Sequence, residues 1–237
     1  MTNETVLQDV VLLPGLLCDK RLWAAQTKGL AGSVVPRIPD LAMYASIAAM
    51  AEGVLQQAPD RFSLAGFSLG GCVALEVVAR APERVSRLAL LSTNPRGILP
   101  SVRQHYLDSI GGIENGGLDT YLENAFPLYV APQRAHDRTL WSIFASMAKS
   151  LGPIVAVRQM RSLLEYPGFA GDLDQIACPT AVVCGREDRR TPCAVHEELA
   201  GRIPQARLRT IEHSGHFTPL EEPEAVTDAL REWLLST

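Results

Sequence analysis

Residues 61–81 read RFSLAGFSLGGCVALEVVARA. The first seven form a short apolar run bounded by polar residues, the mark of a buried strand, and the last dozen are an apolar helical pattern. The chain must therefore pass from strand to helix across residues 66–70, GFSLG, which is a G-x-S-x-G string. Such a turn holds its central serine, here Ser68, in a strained conformation and lifts the hydroxyl clear of the sheet. The glycines remove Cβ atoms where backbones crowd, and the first N–H groups of the helix favour negative charge at the turn. A glycine-rich turn with an incidental serine is the bland alternative, so the rest of the chain has to supply the partners a nucleophile needs.

Working outward, short β-rich runs recur at residues 9–13 (DVVLL), 33–38, 61–67, 86–92, 180–184 (TAVVC) and 206–211. Helical patterns lie between and after them, at 46–57, 69–79, 194–202 and 223–235. This alternation predicts an α/β fold, a mostly parallel sheet covered by helices on both faces. Residues 98–176 break it: they hold helical patterns at 101–110, 118–126, 139–151 and 154–164 and no convincing strand. So long a structureless stretch is implausible in a compact domain, and a helical insertion into a core of residues 1–97 and 177–237 is expected.

A serine nucleophile requires a base, and the base an orienting acid, in the order Ser, Asp or Glu, His for this kind of turn. The loop after the fifth run, GREDRRTP, carries Asp188, and the loop after the sixth, EHSGHFTPLEEPE, carries His216. All three then fall at the carboxyl ends of parallel strands, where such folds gather their chemistry. Glu187, Asp172 and Asp174 compete for the acid, and an Asp before Thr-Pro is commonly a turn residue. His213 and His216 form an HxxH spacing, a weak metal signal on a loop with no third ligand. His213 reads as a surface residue or a neighbour of the site, and His105, His136 and His196 read as helix-surface residues. Arg186, Arg189 and Arg190 read as a solvated loop face. Trp141, Phe144 and Met147 form a stripe that packs as core or, as an expectation for Trp141 and Phe144, walls a substrate pocket.

With the LLPGLL loop at 12–17, GFSLGG, GREDRRTP and SGHFTPLEEPE each after the appropriate strand, the sequence resembles the α/β-hydrolase superfamily, in particular its small bacterial serine esterases and enol-lactonases, over nearly its whole length. The resemblance implies Ser68 as nucleophile, Asp188 as acid, His216 as base, and the 98–176 insertion as a helical cap after the family's sixth strand. It implies an oxyanion hole made by the backbone N–H groups of Leu16 and Leu69, with Pro14-Gly15 standing where most relatives have His-Gly. The family's two leading strands have little room before Asp9. The activity implied is cofactor-free hydrolysis of a small ester, lactone or related acyl compound through an acyl-enzyme. The same triad also serves carbon–carbon hydrolysis, perhydrolysis and lyase chemistry in this superfamily, and a receptor that binds without turnover is the third alternative.

Composition narrows the partners. Of 237 residues, 47% are hydrophobic and 20% charged, which excludes a disordered chain. The 22 basic and 26 acidic residues leave a net charge of −4, contrary to a protein built to grip nucleic acid. The five cysteines (18, 72, 178, 184 and 193) are odd in number and lack a CxxC pair, so neither a disulfide framework nor a thiolate zinc site is expected. No nucleotide-binding glycine motif occurs, and no cofactor or metal is expected. The N-terminus lacks a signal-peptide pattern and no apolar run reaches 18 residues, so a cytoplasmic protein without a membrane partner, acting on a small-molecule acyl substrate, is expected. The oligomeric state is left open.

Overall fold

The computed structural model describes residues 7–235, so part of the N-terminal stretch read for a leader lies outside the described residues. Six strands, β1 (Gln8–Leu13), β2 (Val34–Arg37), β3 (Phe62–Phe67), β4 (Val85–Leu91), β5 (Thr180–Gly185) and β6 (Ala206–Ile211), form one sheet in the order β2-β1-β3-β4-β5-β6. Every pairing among them is parallel. The interior strands β3 and β5 are buried at all positions, as strands covered on both faces must be, and β3 carries the FSLAGF run straight into the turn at Ser68. The covering helices are α1 (Ala24–Gly29), α2 (Ile47–Gln57), α3 (Leu69–Arg80), α7 (Cys193–Arg202), α8 (Thr218–Glu221) and α9 (Pro223–Leu235). Of these, α2 and α3 pack together on one side, while α1 packs on α9 and α9 on β4, β5 and β6. The short α1 and α8 were not legible as helices in the sequence.

Between β4 and β5 the chain forms α4 (Pro100–Glu114), α5 (Leu118–Tyr129) and α6 (Arg138–Glu165). A single bridge between Arg96 and Gly168 brings the two ends of this insertion together. Helix α6 is long and apolar enough, by composition, to cross a membrane. It is, however, broken at Gly152 (φ 79°, ψ 174°), next to Pro153, into two pieces, each shorter than the roughly 20 residues a span requires. Its buried side chains pack on α4 and α5.

Candidate active site

Ser68 occupies the position before the first turn of α3, with φ 53° and ψ −113°. A serine there ordinarily turns its hydroxyl back onto the helix N–H groups. Ser68 makes no such cap, because its positive φ aims the side chain away from the helix. The strain is held by close packing on both sides. A Cβ on Gly66 would lie 2.2 Å from the Gly70 carbonyl oxygen, and one on Gly70 would lie 2.4 Å from that of Leu13. Only glycine fits at either place, so the two flanking positions of G-x-S-x-G are dictated by backbone approach. Ser68 N–H is fixed by the Leu91 carbonyl (2.9 Å), and its own carbonyl accepts from the Thr93 hydroxyl (2.8 Å).

The freed hydroxyl meets His216: Ser68 Oγ and His216 Nε2 are 2.9 Å apart. The other ring nitrogen, Nδ1, lies 2.8 Å from Asp188 Oδ2. Both His216 and Asp188 are buried, whereas Ser68 is partly exposed. Asp188 Oδ1 accepts the backbone N–H groups of Arg190 (2.8 Å) and Thr191 (2.9 Å), and Oδ2 also accepts the Thr191 hydroxyl (2.7 Å). Burial opposes the charge, but His216 and these hydrogen bonds outweigh it and hold the carboxyl below its usual value. Glu187 turns the other way, accepting from Gln133 at 3.0 Å, while Asp172 and Asp174 lie near Arg202. Of the four candidate acids, only Asp188 reaches the imidazole. His213 is exposed at a turn (φ 58°) and is not brought to the site.

The insertion is part of this arrangement. The Tyr129 carbonyl accepts the N–H groups of His216 (2.8 Å) and Phe217 (3.0 Å). The buried Glu221 carboxylate bridges core and insertion, accepting Gly215 N–H at 2.9 Å and Ala131 N–H at 2.7 Å. Burial pushes that carboxyl up to about 7 despite both bonds. On the opposite side, Gln159 of α6 accepts the N–H of Leu17 at 2.9 Å, in the loop after β1 where Leu17 has φ 58°. The loop that carries Leu16 is thereby tied to the insertion. The N–H of Leu69 has no partner within α3, as the first N–H of a helix never does. Leu16 and Leu69 line the same cavity as Ser68, about 320 Å³ in volume.

The structure corrects four side-chain expectations. Neither Trp141 nor Phe144 lines that cavity. Phe144 is buried among Phe126, Tyr129 and Phe217, with ring centroids 6.1, 5.8 and 5.2 Å away, and Trp141 sits edge-on to Phe126, beside a separate surface hollow. The stripe is packing, because the face of α6 that carries it is turned onto α5 and the His216 loop. His196, expected on a helix surface, is fully buried: Nε2 accepts Thr93 N–H at 3.0 Å, and burial lowers its pKa. Of the three arginines read as a solvated loop face, Arg186 is exposed and paired with Glu212, and Arg189 is exposed at the cavity rim. Arg190 instead turns inward against Tyr106 and Tyr129. Thr191, Gln159 and Glu221 also serve the site. The D-x-x-T spacing was the one local signal for Thr191, whereas Gln159 and Glu221 act on residues distant in the chain.

The family model described as Alpha/beta hydrolase family matches residues 10–229. The chain belongs to the α/β-hydrolase family. It is similar to the pimeloyl-(acyl-carrier protein) methyl ester esterase of Nitrosomonas europaea, with 26% identity over 91% of each chain. Among solved structures it is similar to an esterase from Thermogutta terrifontis, at TM-score 0.88 and 26% identity over 96% of this chain and 89% of that one. The enol-lactonase from Burkholderia xenovorans LB400 superposes at TM-score 0.84 and 19% identity over 99% and 94%, a likeness of α/β-hydrolase fold alone.

Proposed function

We propose that this chain is a serine hydrolase that cleaves carboxylic esters, with Ser68 as nucleophile, His216 as base and Asp188 as the acid that orients it. The single observation that carries the reading is the continuous chain from Ser68 Oγ through His216 to Asp188, with steps of 2.9 and 2.8 Å. The naming of two relatives as esterases, each 26% identical, supports an ester as substrate.

The steps follow from the groups present. Asp188 holds Nδ1 as the protonated nitrogen, so Nε2 presents a lone pair to the serine hydroxyl. His216 takes the Ser68 proton as Oγ attacks the ester carbonyl carbon, and the negative oxygen that forms is met by the N–H groups of Leu69 and Leu16. The protonated imidazole then gives its proton to the departing alcohol, which leaves an acyl group on Ser68. Water attacks that acyl group while His216 accepts its proton, and return of the proton to Oγ frees the acid. These steps draw on no cofactor.

The test is a fluorophosphonate probe together with turnover of p-nitrophenyl acetate. Ser68 is expected to carry the label, and Ser68→Ala is expected to lose on the order of 10⁶ in kcat while keeping its unfolding midpoint. Retained turnover in that variant refutes the assignment.

A further inference from the structure

An arginine side chain withdrawn from water keeps its charge and normally meets a carboxylate. Even Arg21, Arg96, Arg134, Arg161 and Arg186, whose side chains are 31–56% exposed, each meet an Asp or Glu oxygen within 4.0 Å. Arg190 does not. Its guanidinium lies over the ring of Tyr129, 5.2 Å from the centroid, and beside Tyr106, 6.0 Å away, and one Nη donates to the Tyr106 hydroxyl at 3.2 Å. Among the described residues no carboxylate pairs with it, and only one of the five N–H donors a guanidinium owns has an acceptor. The contact with Asp188 is made by the Arg190 backbone N–H.

The position of this guanidinium is informative. Arg190 lines the cavity that holds Ser68 and His216, and Tyr129, on which it stacks, also lies 5.5 Å from the His216 ring. The cavity wall includes Arg96, Arg189 and Arg190 and no Asp or Glu, in a chain whose net charge is −4. Arg96 is already satisfied by Glu198 (2.5 Å), and Arg189 donates to the Pro127 carbonyl. Arg190 is the cation in this wall whose guanidinium meets neither a carboxylate nor a carbonyl among the described residues, and two aromatic faces hold it in place. A fixed, partly desolvated guanidinium is suited to two-point recognition of a carboxylate. The cavity, about 320 Å³, equals roughly ten water volumes at about 30 Å³ each, the size of a short half-ester.

We propose that Arg190 anchors a carboxylate carried by the substrate, so that the site selects half-esters of short dicarboxylic acids. The ester carbonyl lies at Ser68 and the free carboxylate at Arg190. This rests on the hydrolase reading above and adds to it the charge of the substrate.

The experiment compares kcat/KM for monomethyl glutarate with that for methyl glutaramate, which has the same shape and an uncharged amide in place of the carboxylate. It also compares Ki for glutarate with that for glutaramide against p-nitrophenyl acetate turnover. Each ratio is taken within one protein, so a general loss of folded or active enzyme cancels. The parent is expected to favour the carboxylate at least about tenfold in both ratios, less so as salt rises. Arg190→Met is expected to bring the ratios to about one, and Arg190→Lys to retain part of the preference. A parent that treats both members of each pair alike overturns the inference, whether or not the variants fold. If p-nitrophenyl acetate is turned over and Ser68 is labelled in that case, the hydrolase reading stands and only the anchor falls. Absence of label and turnover removes both.

Discussion

Asp188→Asn isolates the tautomer logic of the site, because the structure dictates how the new amide has to lie. Oδ1 of Asp188 accepts two backbone N–H groups, from Arg190 and Thr191, and these remain donors whatever replaces the carboxylate. The asparagine carbonyl must face them, which puts its NH₂ where Oδ2 now meets His216 Nδ1 at 2.8 Å and the Thr191 hydroxyl at 2.7 Å. The hydroxyl can rotate and accept. The imidazole can accept only at an unprotonated Nδ1, so its proton moves to Nε2. Nε2–H then faces Ser68 Oγ as a donor, and the serine proton has no acceptor. The flipped amide, which would keep the active tautomer, leaves two buried N–H groups unsatisfied at roughly 1–3 kcal/mol each. It is therefore suppressed by about 2–6 kcal/mol, or roughly 30-fold to 10⁴-fold. The expected fall in kcat lies in that range, toward the 10⁴-fold upper end typical of a triad acid. Asp188 lies behind the imidazole and does not line the cavity, so KM stays nearly constant. The assay is kcat and KM on p-nitrophenyl acetate, with imidazole ¹⁵N shifts to read the tautomer and Glu187→Gln as a control of mild effect. A kcat within tenfold of the parent, or a loss confined to KM, refutes the reasoning.

Three further outcomes follow from the packing of the insertion. Phe144→Ala is expected to cost about 3–5 kcal/mol in urea unfolding, since the ring is buried among four aromatic neighbours. Trp141→Ala should leave the ranking of acetyl to octanoyl esters as in the parent, and a changed ranking would place Trp141 back in the pocket wall. Folded Glu221 holds its proton up to about pH 7, against 4.5 for the free side chain, so between these values the folded state binds more protons than the unfolded one. Stability therefore falls as pH rises through that window, by at most about 3 kcal/mol, and Glu221→Gln removes this slope. Urea midpoints at intervals from pH 5 to pH 8 decide it, and equal pH dependence in parent and variant sinks the idea.

Elements whose causes are local can be read directly from the residues. The β3–turn–α3 passage was legible because FSLAGF, GFSLG and the apolar helix follow one another without a gap, and two glycines are needed within five residues. The parallel sheet was legible because covered strands read as continuous apolar runs, and the three candidate triad residues because each lies in the turn or loop that follows a strand. The direction of side chains whose partners are far away in the chain emerges only on folding. Arg186, Arg189 and Arg190 are equivalent as letters, yet only Arg190 finds Tyr106, 84 positions away, and turns inward. Gln159 reaches Leu17 across 142 positions, and Glu221 reaches Ala131 across 90. The helices of the insertion bury apolar residues against one another as well as over the core, so periodicity marks a buried face without saying what covers it. That choice belongs to packing, which set Phe144 among aromatic rings, His196 beneath Thr93, and Arg190 at the wall beside Ser68.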